Sequence, residues 1–166
     1  MSTQAQAKER LQKWRNGIKI DHNSHLRAAT HYTQRSQILG AIVVIFTTIV
    51  GTAVFTSIAS NGTSSVVLQI LAGFLSIIAA VLSSLNTFLN YGKLAESHRS
   101  AAVKYGNLRR EIEQLLCFMD ADANLDETMK SIRTRWDAID LEAPEIPQKI
   151  HDKVKNEVQR DTGKEK

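Results

Sequence analysis

The chain has 166 residues, a formal net charge of +4 and a mean hydropathy of −0.21, values that suit one domain with a core of its own. Its single cysteine, Cys117, excludes an internal disulfide. These averages conceal an uneven distribution, because no Asp, Glu, Lys or Arg occurs between Arg35 and Lys93. An uncharged centre of this length between charged flanks predicts segments that span a membrane.

The N-terminal flank, residues 1–35, is expected to form a cytoplasmic helical arm. Leu11, Trp14 and Ile18 form a short apolar stripe, interrupted near Gly17, that can pack against another helix. The arm is polar and charged, and the apolar run begins too late for a cleavable signal peptide. The stripe therefore predicts a helical bundle below the membrane.

Two patterns could hold a metal ion, and neither is complete. His22, His25 and His31 have no nearby cysteine or carboxylate cluster to supply a four-ligand shell. The run from Asp120 to Asn124 starts like a calcium loop, but leucine and serine occupy the positions that need glycine and glutamate. We expect no metal site, and ordinary surface or interface histidines instead.

Residues 36–60 and 66–90 are predicted to be two transmembrane helices, since about 20 apolar residues cross a hydrocarbon core of about 30 Å. Residues 61–65 form a short external turn marked by Asn61-Gly62, which makes the helices antiparallel neighbours. Basic residues lie in both flanks, so the positive-inside rule predicts a multi-pass protein with both termini in the cytoplasm. The alternative, a hairpin buried in a soluble bundle, is disfavoured because helices that are apolar on all sides belong in large cores or membranes.

One face of each predicted span carries small and polar residues. Small residues let helices approach closely and hydroxyls bond across an interface, which predicts helix packing. The same groups can line a water-filled pore in an oligomer, because one hairpin has too few helices to enclose a channel. Both interpretations stay open for this face. Its residues are Thr48, Thr52 and Thr56 in the first span and Gln69, Gly73, Ser76, Ala80, Ser83, Thr87 and Asn90 in the second.

Residues 91–119 are predicted to be a cytoplasmic stem that continues the second span as one helix from about Val66 to Met119. A heptad seam of 3-4 spacing runs along the stem, so this face should pack against another helix. The seam residues are Tyr91, Leu94, His98, Ala101, Tyr105, Leu108 and Ile112. This register places Glu96 on another face, so His98 is expected to be structural or gating rather than catalytic.

The C-terminal part, residues 120–166, is predicted to hold cytoplasmic helices and a tail. One helix should run from about Leu125 to Asp140, with Asn124 and Glu127 as a capping box. Two prolines between residues 143 and 147 should end it, and a last amphipathic piece follows. The fold class is thus an all-α membrane protein, a two-transmembrane hairpin with a cytoplasmic helical bundle. No nucleophile–base–acid set or phosphate-cradling glycine loop is visible, so we expect neither an enzyme nor a cofactor.

Three segments carry a family resemblance: HLRAATHYTQRSQILG, LSIIAAVLSSLNTFLNYGKLAESHRSAAVKYGNLRREIEQLL and LEAPEIP. They resemble the SLATT family, the SMODS- and SLOG-associating two-transmembrane effectors. The resemblance covers most of residues 20–150 and is most specific between Ala79 and Leu116. Its signature there is the spacing from Phe88 through His98-Arg99 to Tyr105 and Leu108.

The resemblance implies a membrane effector of bacterial conflict and antiphage systems, located in the inner (plasma) membrane. A nucleotide signal or a cytoplasmic sensor protein would switch it on, and homo-oligomers would then form a pore or disrupt the membrane. The expected mechanism is that the cytoplasmic seam rearranges and rotates the long second helix. The alternative is a non-conducting scaffold or regulatory subunit whose bundle binds a partner protein. The expected partners are the lipid bilayer and further copies of the chain, with no nucleic acid.

Overall fold

The computed structural model of the chain describes residues 3–59, 66–118 and 124–164, and these form α-helices without any β-strand. Their order is α1 (Thr3–Ala59), α2 (Val66–Leu89), α3 (Tyr91–Phe118), α4 (Leu125–Glu142) and α5 (Gln148–Lys164). The prediction of an all-α fold with two long apolar helices is confirmed. The external turn at 61–65 and most of the calcium-loop-like run at 120–124 lie outside the described residues.

The second long helix is interrupted at Asn90. Its backbone has a φ of 44°, so α2 ends at Leu89 and α3 begins at Tyr91. Asparagine adopts this left-handed conformation more readily than most residues, because its short polar side chain can bond locally. The prediction of one helix from Val66 to Met119 is therefore wrong at Asn90, and Met119 itself lies outside the described residues.

The first helix, in contrast, is continuous, and Gly17 does not interrupt it. A Cβ atom at Gly17 would lie 3.1 Å from Cη2 of Trp136, so the glycine makes room for an indole ring. Trp136 also packs edge-on against Trp14, with ring centroids 6.4 Å apart. The apolar stripe was expected to be interrupted near Gly17, and Trp136 of α4 packs against the helix at this point.

The chain divides into two compact units. We call the first the bundle: it contains α1 up to His31 and the described residues from Leu94 onward. Its core draws on three helices, and α5 adds Val154 and Val158. Burial of these apolar side chains is the main force that holds the four helices together. The core residues are Leu11, Ile18, Ala101, Tyr105, Leu108, Ile112, Met129 and Ile132.

The start of α4 differs from the predicted capping box. The carbonyl oxygen of Asn124 accepts hydrogen bonds from the backbone N–H groups of Glu127 and Thr128, and the Asn124 side chain makes no capping bond. The capping-box prediction is wrong, since the Asn124 carbonyl and not its side chain serves the Glu127 N–H group, while the bond from Thr128 is the first regular bond of the helix. The helix ends at Glu142, and the next residue, Ala143, has the extended backbone conformation that is favoured before a proline.

We call the second unit the hairpin: it contains the described residues from Tyr32 to Lys93. The rings of Tyr32 and Tyr91 stack at 5.9 Å, which places the start of the first span beside the end of the second. The two helices meet along stripes of partly covered residues at 3-4 spacing, with Ala79 buried. These stripes include Tyr32, Ser36, Leu39, Val43, Phe46, Val50 and Ala53 in α1, and Ala72, Leu75, Ser76, Ala79, Leu82, Asn86 and Leu89 in α2.

Candidate functional site

The small and polar face of the hairpin lies away from its internal contact. Ser76 is partly covered and belongs to the stripe that faces α1, whereas the other nine residues proposed for this face are exposed. A Cβ atom built at Gly73 meets nothing within 4 Å. Within one chain, the hairpin therefore closes through a different set of residues. The exposed residues of this face can contact other copies of the chain or lipid: Thr48, Thr52, Thr56, Gln69, Gly73, Ala80, Ser83, Thr87 and Asn90.

Hydroxyl groups on this face donate hydrogen bonds to their own helix. Thr52 Oγ1 donates to the Thr48 carbonyl at 2.9 Å, and Thr87 Oγ1 donates to the Ser83 carbonyl at 3.1 Å. Thr48, Thr56 and Ser76 make equivalent bonds three or four residues back. These bonds satisfy the hydroxyl protons where no water is present, and each oxygen can still accept a hydrogen bond from another molecule.

Large apolar side chains cover the rest of the outer hairpin surface. Exposure of this many such residues in water would be strongly unfavourable, whereas contact with lipid tails is not. Both helices are long and apolar enough to cross a membrane. The exposed residues are Ile38, Val44, Ile45, Ile49, Val54, Phe55, Val66, Val67, Ile70, Leu71, Phe74, Ile77, Val81, Leu85 and Phe88.

The seam residues proposed for the stem are mostly inside the bundle. His98, Ala101, Tyr105, Leu108 and Ile112 are buried. Leu94 is partly covered and also belongs to the bundle, whereas Tyr91, likewise partly covered, belongs to the hairpin. The heptad face thus supplies α3 with its packing surface.

A pair of buried histidines joins α1 to α3. His25 Nδ1 and His98 Nδ1 are 2.9 Å apart, and the exposed fractions of the two side chains are 2% and 0%. Such a bond needs a proton on one nitrogen and a lone pair on the other, so the neutral rings must be opposite tautomers. Burial lowers the pKa of His98, and burial together with the charge of His98 lowers the pKa of His25 to about 4.

Tyr105 connects this pair to α4. Its ring stacks on His25 with centroids 5.3 Å apart, and its hydroxyl donates to Asp140 Oδ1 at 2.6 Å. Burial, then the bond to Asp140, raises the pKa of Tyr105, so the hydroxyl remains a donor. Burial, then the charge of Asp140, raises the pKa of Asp21 to about 6, and His151 of α5 partly opposes this effect. We call Asp21, His25, His98, Tyr105, Asp140 and His151 the polar cluster.

His22 fills the space beside Gly106. Its Nδ1 donates to the carbonyl oxygen of Ala102 at 2.7 Å, and its Cε1 would lie 3.1 Å from a Cβ atom at Gly106. The three N-terminal histidines do not converge, and the described residues contain no group of three or more His, Cys, Asp or Glu arranged for a metal ion. His25 and His22 instead each contact α3.

Sequence reasoning missed three members of the polar cluster: Asp21, Asp140 and His151. A signal existed for Asp21, which precedes His25 by one helical turn and so shares its face. No comparable signal existed for the other two, since their approach depends on how α4 and α5 fold back onto α1 and α3.

The two apolar helices and the helical bundle define the class of this chain, a two-transmembrane α-helical membrane protein. Residues 8–149 match the family model of the SMODS and SLOG-associating 2TM effector domain family 4, and the chain belongs to this family. The SLATT resemblance is thereby confirmed. No curated protein and no solved structure was found to match the chain. Nearly all of α5, including His151, lies beyond the matched residues.

Proposed function

We propose that this membrane protein is an effector of a bacterial conflict system that assembles into a homo-oligomer and opens a pore in the inner membrane. Membership of the 2TM effector family supports a role as a membrane effector. The observation that carries the pore is the exposed small and polar face of the hairpin, which is not used to close the hairpin itself. Copies that pack through lipid-facing apolar residues would leave this face to line a channel.

We further propose that both termini lie in the cytoplasm, so that the bundle meets the activating signal there. The basic flanks support this topology through the positive-inside rule. A cytoplasmic sensor protein or a nucleotide would trigger the change, and the response would limit phage spread. Because α2 and α3 are separated at Asn90, the proposed coupling runs through the continuous α1 rather than by rotation of one long second helix.

Dye release from liposomes tests the pore. Ser83 lies on the proposed face, whereas its neighbour Ser84 does not, and both are exposed. We expect Ser83→Leu to reduce leakage severalfold, because it narrows and dewets the lining. Ser84→Leu is the matched control and should leave leakage unchanged. A purified oligomer that releases no dye under any activating condition would contradict the pore.

A non-conducting scaffold is the second candidate, and one observation favours it. The hydroxyls of Thr48, Thr52 and Thr56 donate to carbonyls of their own helix, so the face does not require water. It could then serve only to pack hairpins closely while the bundle binds a partner protein. Induced expression in bacteria separates the candidates: rapid loss of membrane potential supports the effector, and an intact potential with the partner present supports the scaffold.

A further inference from the structure

The His25–His98 pair is a buried titratable contact that the pore does not explain. It joins α1 to α3 through a single hydrogen bond of 2.9 Å between ring nitrogens, and neither ring is exposed by more than 2%. A leucine or valine at either position would fill similar space without any polar group to satisfy. The two buried histidines are therefore not needed to fill space between α1 and α3.

The chemistry of this bond depends on the number of protons in the pair. In the neutral pair, the proton between the Nδ1 atoms is donated by one ring and accepted by the other. One additional proton places a positive charge in a buried position, which is unfavourable without a partner. A second additional proton puts N–H groups on both Nδ1 atoms, and the bond cannot form. The first added proton therefore leaves the bond in place and costs free energy because it buries a charge, whereas the second removes the bond itself.

Titratable and charged groups on all four helices of the bundle contact the pair or lie on the segments next to it. Tyr105 of α3 stacks on His25, and its hydroxyl engages Asp140 of α4. On α1, His22 is bonded to the carbonyl oxygen of Ala102, and Asp21 lies one turn away from His25. Two further groups lie on the α5 side. They are His151, which influences Asp21, and the ion pair of Arg27 with Glu157.

These neighbours provide little compensation for a charged imidazole. The Asp140 carboxylate is already the acceptor of the Tyr105 hydroxyl. The pKa of Asp21 is raised to about 6, first by burial and then by Asp140, so this carboxyl loses its negative charge over the range in which a histidine gains a positive one. His151 is an imidazole and supplies no negative charge. Acidification therefore draws no additional negative charge towards the pair from these three groups.

We propose that the His25–His98 pair is a proton-sensitive lock, which holds α1 on α3 while neutral and releases the seam when the pH falls. Release frees the bundle segment of α1, which continues without interruption into the hairpin. The lock thereby makes the effector responsive to acidification on the side of the membrane where the bundle lies. This regulatory role rests on the proposed function, whereas the opening of the seam does not.

Hydrogen exchange on the full-length protein in detergent tests the lock. Protection factors, which remove the pH dependence of intrinsic exchange, are compared at pH 7.5 and pH 5 for residues 18–29 and 95–108. We expect protection to fall by about tenfold at pH 5, because the open seam binds protons with ordinary histidine affinity. In the double variant His25→Gln, His98→Asn this fall should shrink to less than about twofold, since amides bond without titrating. The matched control His31→Gln should behave like the wild type.

Two outcomes would overturn the lock: protection in the wild type that does not change with pH, or a double variant with the wild-type pH profile. If the double variant does not fold, the wild-type protein labelled with ¹⁵N at histidine provides the test by NMR. Its nitrogen resonances should show opposite tautomers for His25 and His98 at pH 7.5, with neither ring titrating near its ordinary pKa. Two rings that titrate freely around pH 6.5 would contradict the shared proton.

Dye release at the same two pH values separates regulation from function. Leakage that rises at pH 5 in the wild type, but not in the double variant, supports the regulatory role. Leakage that is equal at both pH values while the seam opens overturns the regulatory role and leaves the pore intact. The absence of leakage at any pH, with a seam that opens, means that the proposed function fails while the lock itself stands.

Discussion

The bundle and the hairpin are both built from α-helices, but they place their apolar and polar side chains in opposite ways. In the bundle, Ile112 and Ile132 are fully buried, and the buried rings of His25 and His98 bond to each other. In the hairpin, large apolar side chains point outward along both helices, and hydroxyls turn back onto their own backbone. A single helix, α1, serves both units, so the difference lies in the side chains and not in the backbone.

This contrast shows that exposure has a different meaning in each unit. Val103 in the bundle and Ile77 in the hairpin are exposed to a similar extent, 55% and 64%. The bundle surface around Val103 carries charged residues on the same helix, such as Lys104 and Arg99, and suits water. The hairpin contains no Asp, Glu, Lys, Arg or His between Arg35 and Lys93, and suits lipid. Matched substitutions in the two units test this difference.

Truncation of the bundle core should produce the largest effect. Ile112→Ala removes a fully buried side chain and leaves a cavity, so we expect the free energy of unfolding to fall by about 4 kcal/mol. Val103→Ala on the same helix is the control and should change it by less than about 0.5 kcal/mol. Chemical unfolding of the full chain in detergent, followed by circular dichroism, measures both. Equal effects of the two variants would mean that α3 does not bury this face.

A charge in the hairpin should produce the next largest effect. Ile77→Arg places a guanidinium where the side chain meets lipid, at a cost of about 3 kcal/mol for membrane insertion. Val103→Arg adds the same group to a surface in water and should leave insertion unchanged. Resistance of the membrane-bound protein to alkaline carbonate extraction measures insertion. If both variants remain as firmly inserted as the wild type, Ile77 does not face lipid.

The sequence predicted the hairpin better than it predicted the polar cluster, for a physical reason. Membrane spans follow from local composition, and the charge-free run from Arg35 to Lys93 specifies them without knowledge of tertiary contacts. The heptad spacing around His98 likewise indicates which face of α3 is covered. These features lie within single helices, where 3.6 residues per turn relate sequence to space directly.

The polar cluster and the break at Asn90 required tertiary information. Asp21 and Asp140 approach each other only because α4 folds back along α1, and nothing in their local sequence encodes that approach. Asn90 lies in an unbroken heptad pattern, so periodicity predicted a helix through it, whereas its left-handed backbone ends α2. Gly92, two residues later, lies within α3 although glycine is the weaker helix former.

Glycines offer a smaller contrast between the units. Gly106→Ala in the bundle brings a Cβ atom within 3.1 Å of His22 Cε1, so the ring must move and weaken its bond to the Ala102 carbonyl. We expect a loss of about 1 to 2 kcal/mol in the free energy of unfolding, despite the better helix propensity of alanine. Gly73→Ala in the hairpin meets nothing within 4 Å and should not destabilise the single chain.

The same glycine pair sharpens the role of the hairpin face. If Gly73 lies where two copies pack, Gly73→Ala should weaken the oligomer in cross-linking experiments while the fold remains intact. A weakened oligomer together with unchanged unfolding would assign the face to packing between copies. An unchanged oligomer would indicate that the face lines the pore or contacts lipid. For the bundle variant, greater stability of Gly106→Ala would contradict the close approach of His22.

The pH dependence of stability should show the smallest effect, and it belongs to the bundle because the hairpin centre lacks acidic, basic and histidine side chains. Asp21 has a pKa raised to about 6 in the folded state, so its charge destabilises the fold above pH 6 and this penalty disappears as the pH falls. His25 has a pKa lowered to about 4, so its contribution is present above pH 6.5 and is lost as the pH falls towards 4. The two groups therefore oppose each other in acid.

Asp21→Asn removes the contribution of Asp21 to the pH dependence of stability and leaves that of His25. The variant should be more stable than the wild type at pH 7.5 by about 1 kcal/mol, since a half-buried charge close to Asp140 is gone. This advantage should vanish between pH 6 and pH 4, where the wild-type carboxyl is protonated, so the variant loses stability more steeply on acidification. Thermal unfolding at pH 7.5, 6 and 5 measures the slopes, and Thr52→Val in the hairpin is the control. If the stability of Asp21→Asn and that of the wild type change with pH in parallel, Asp21 does not titrate in this range. Its protonation would then not offset the loss of stability caused by His25.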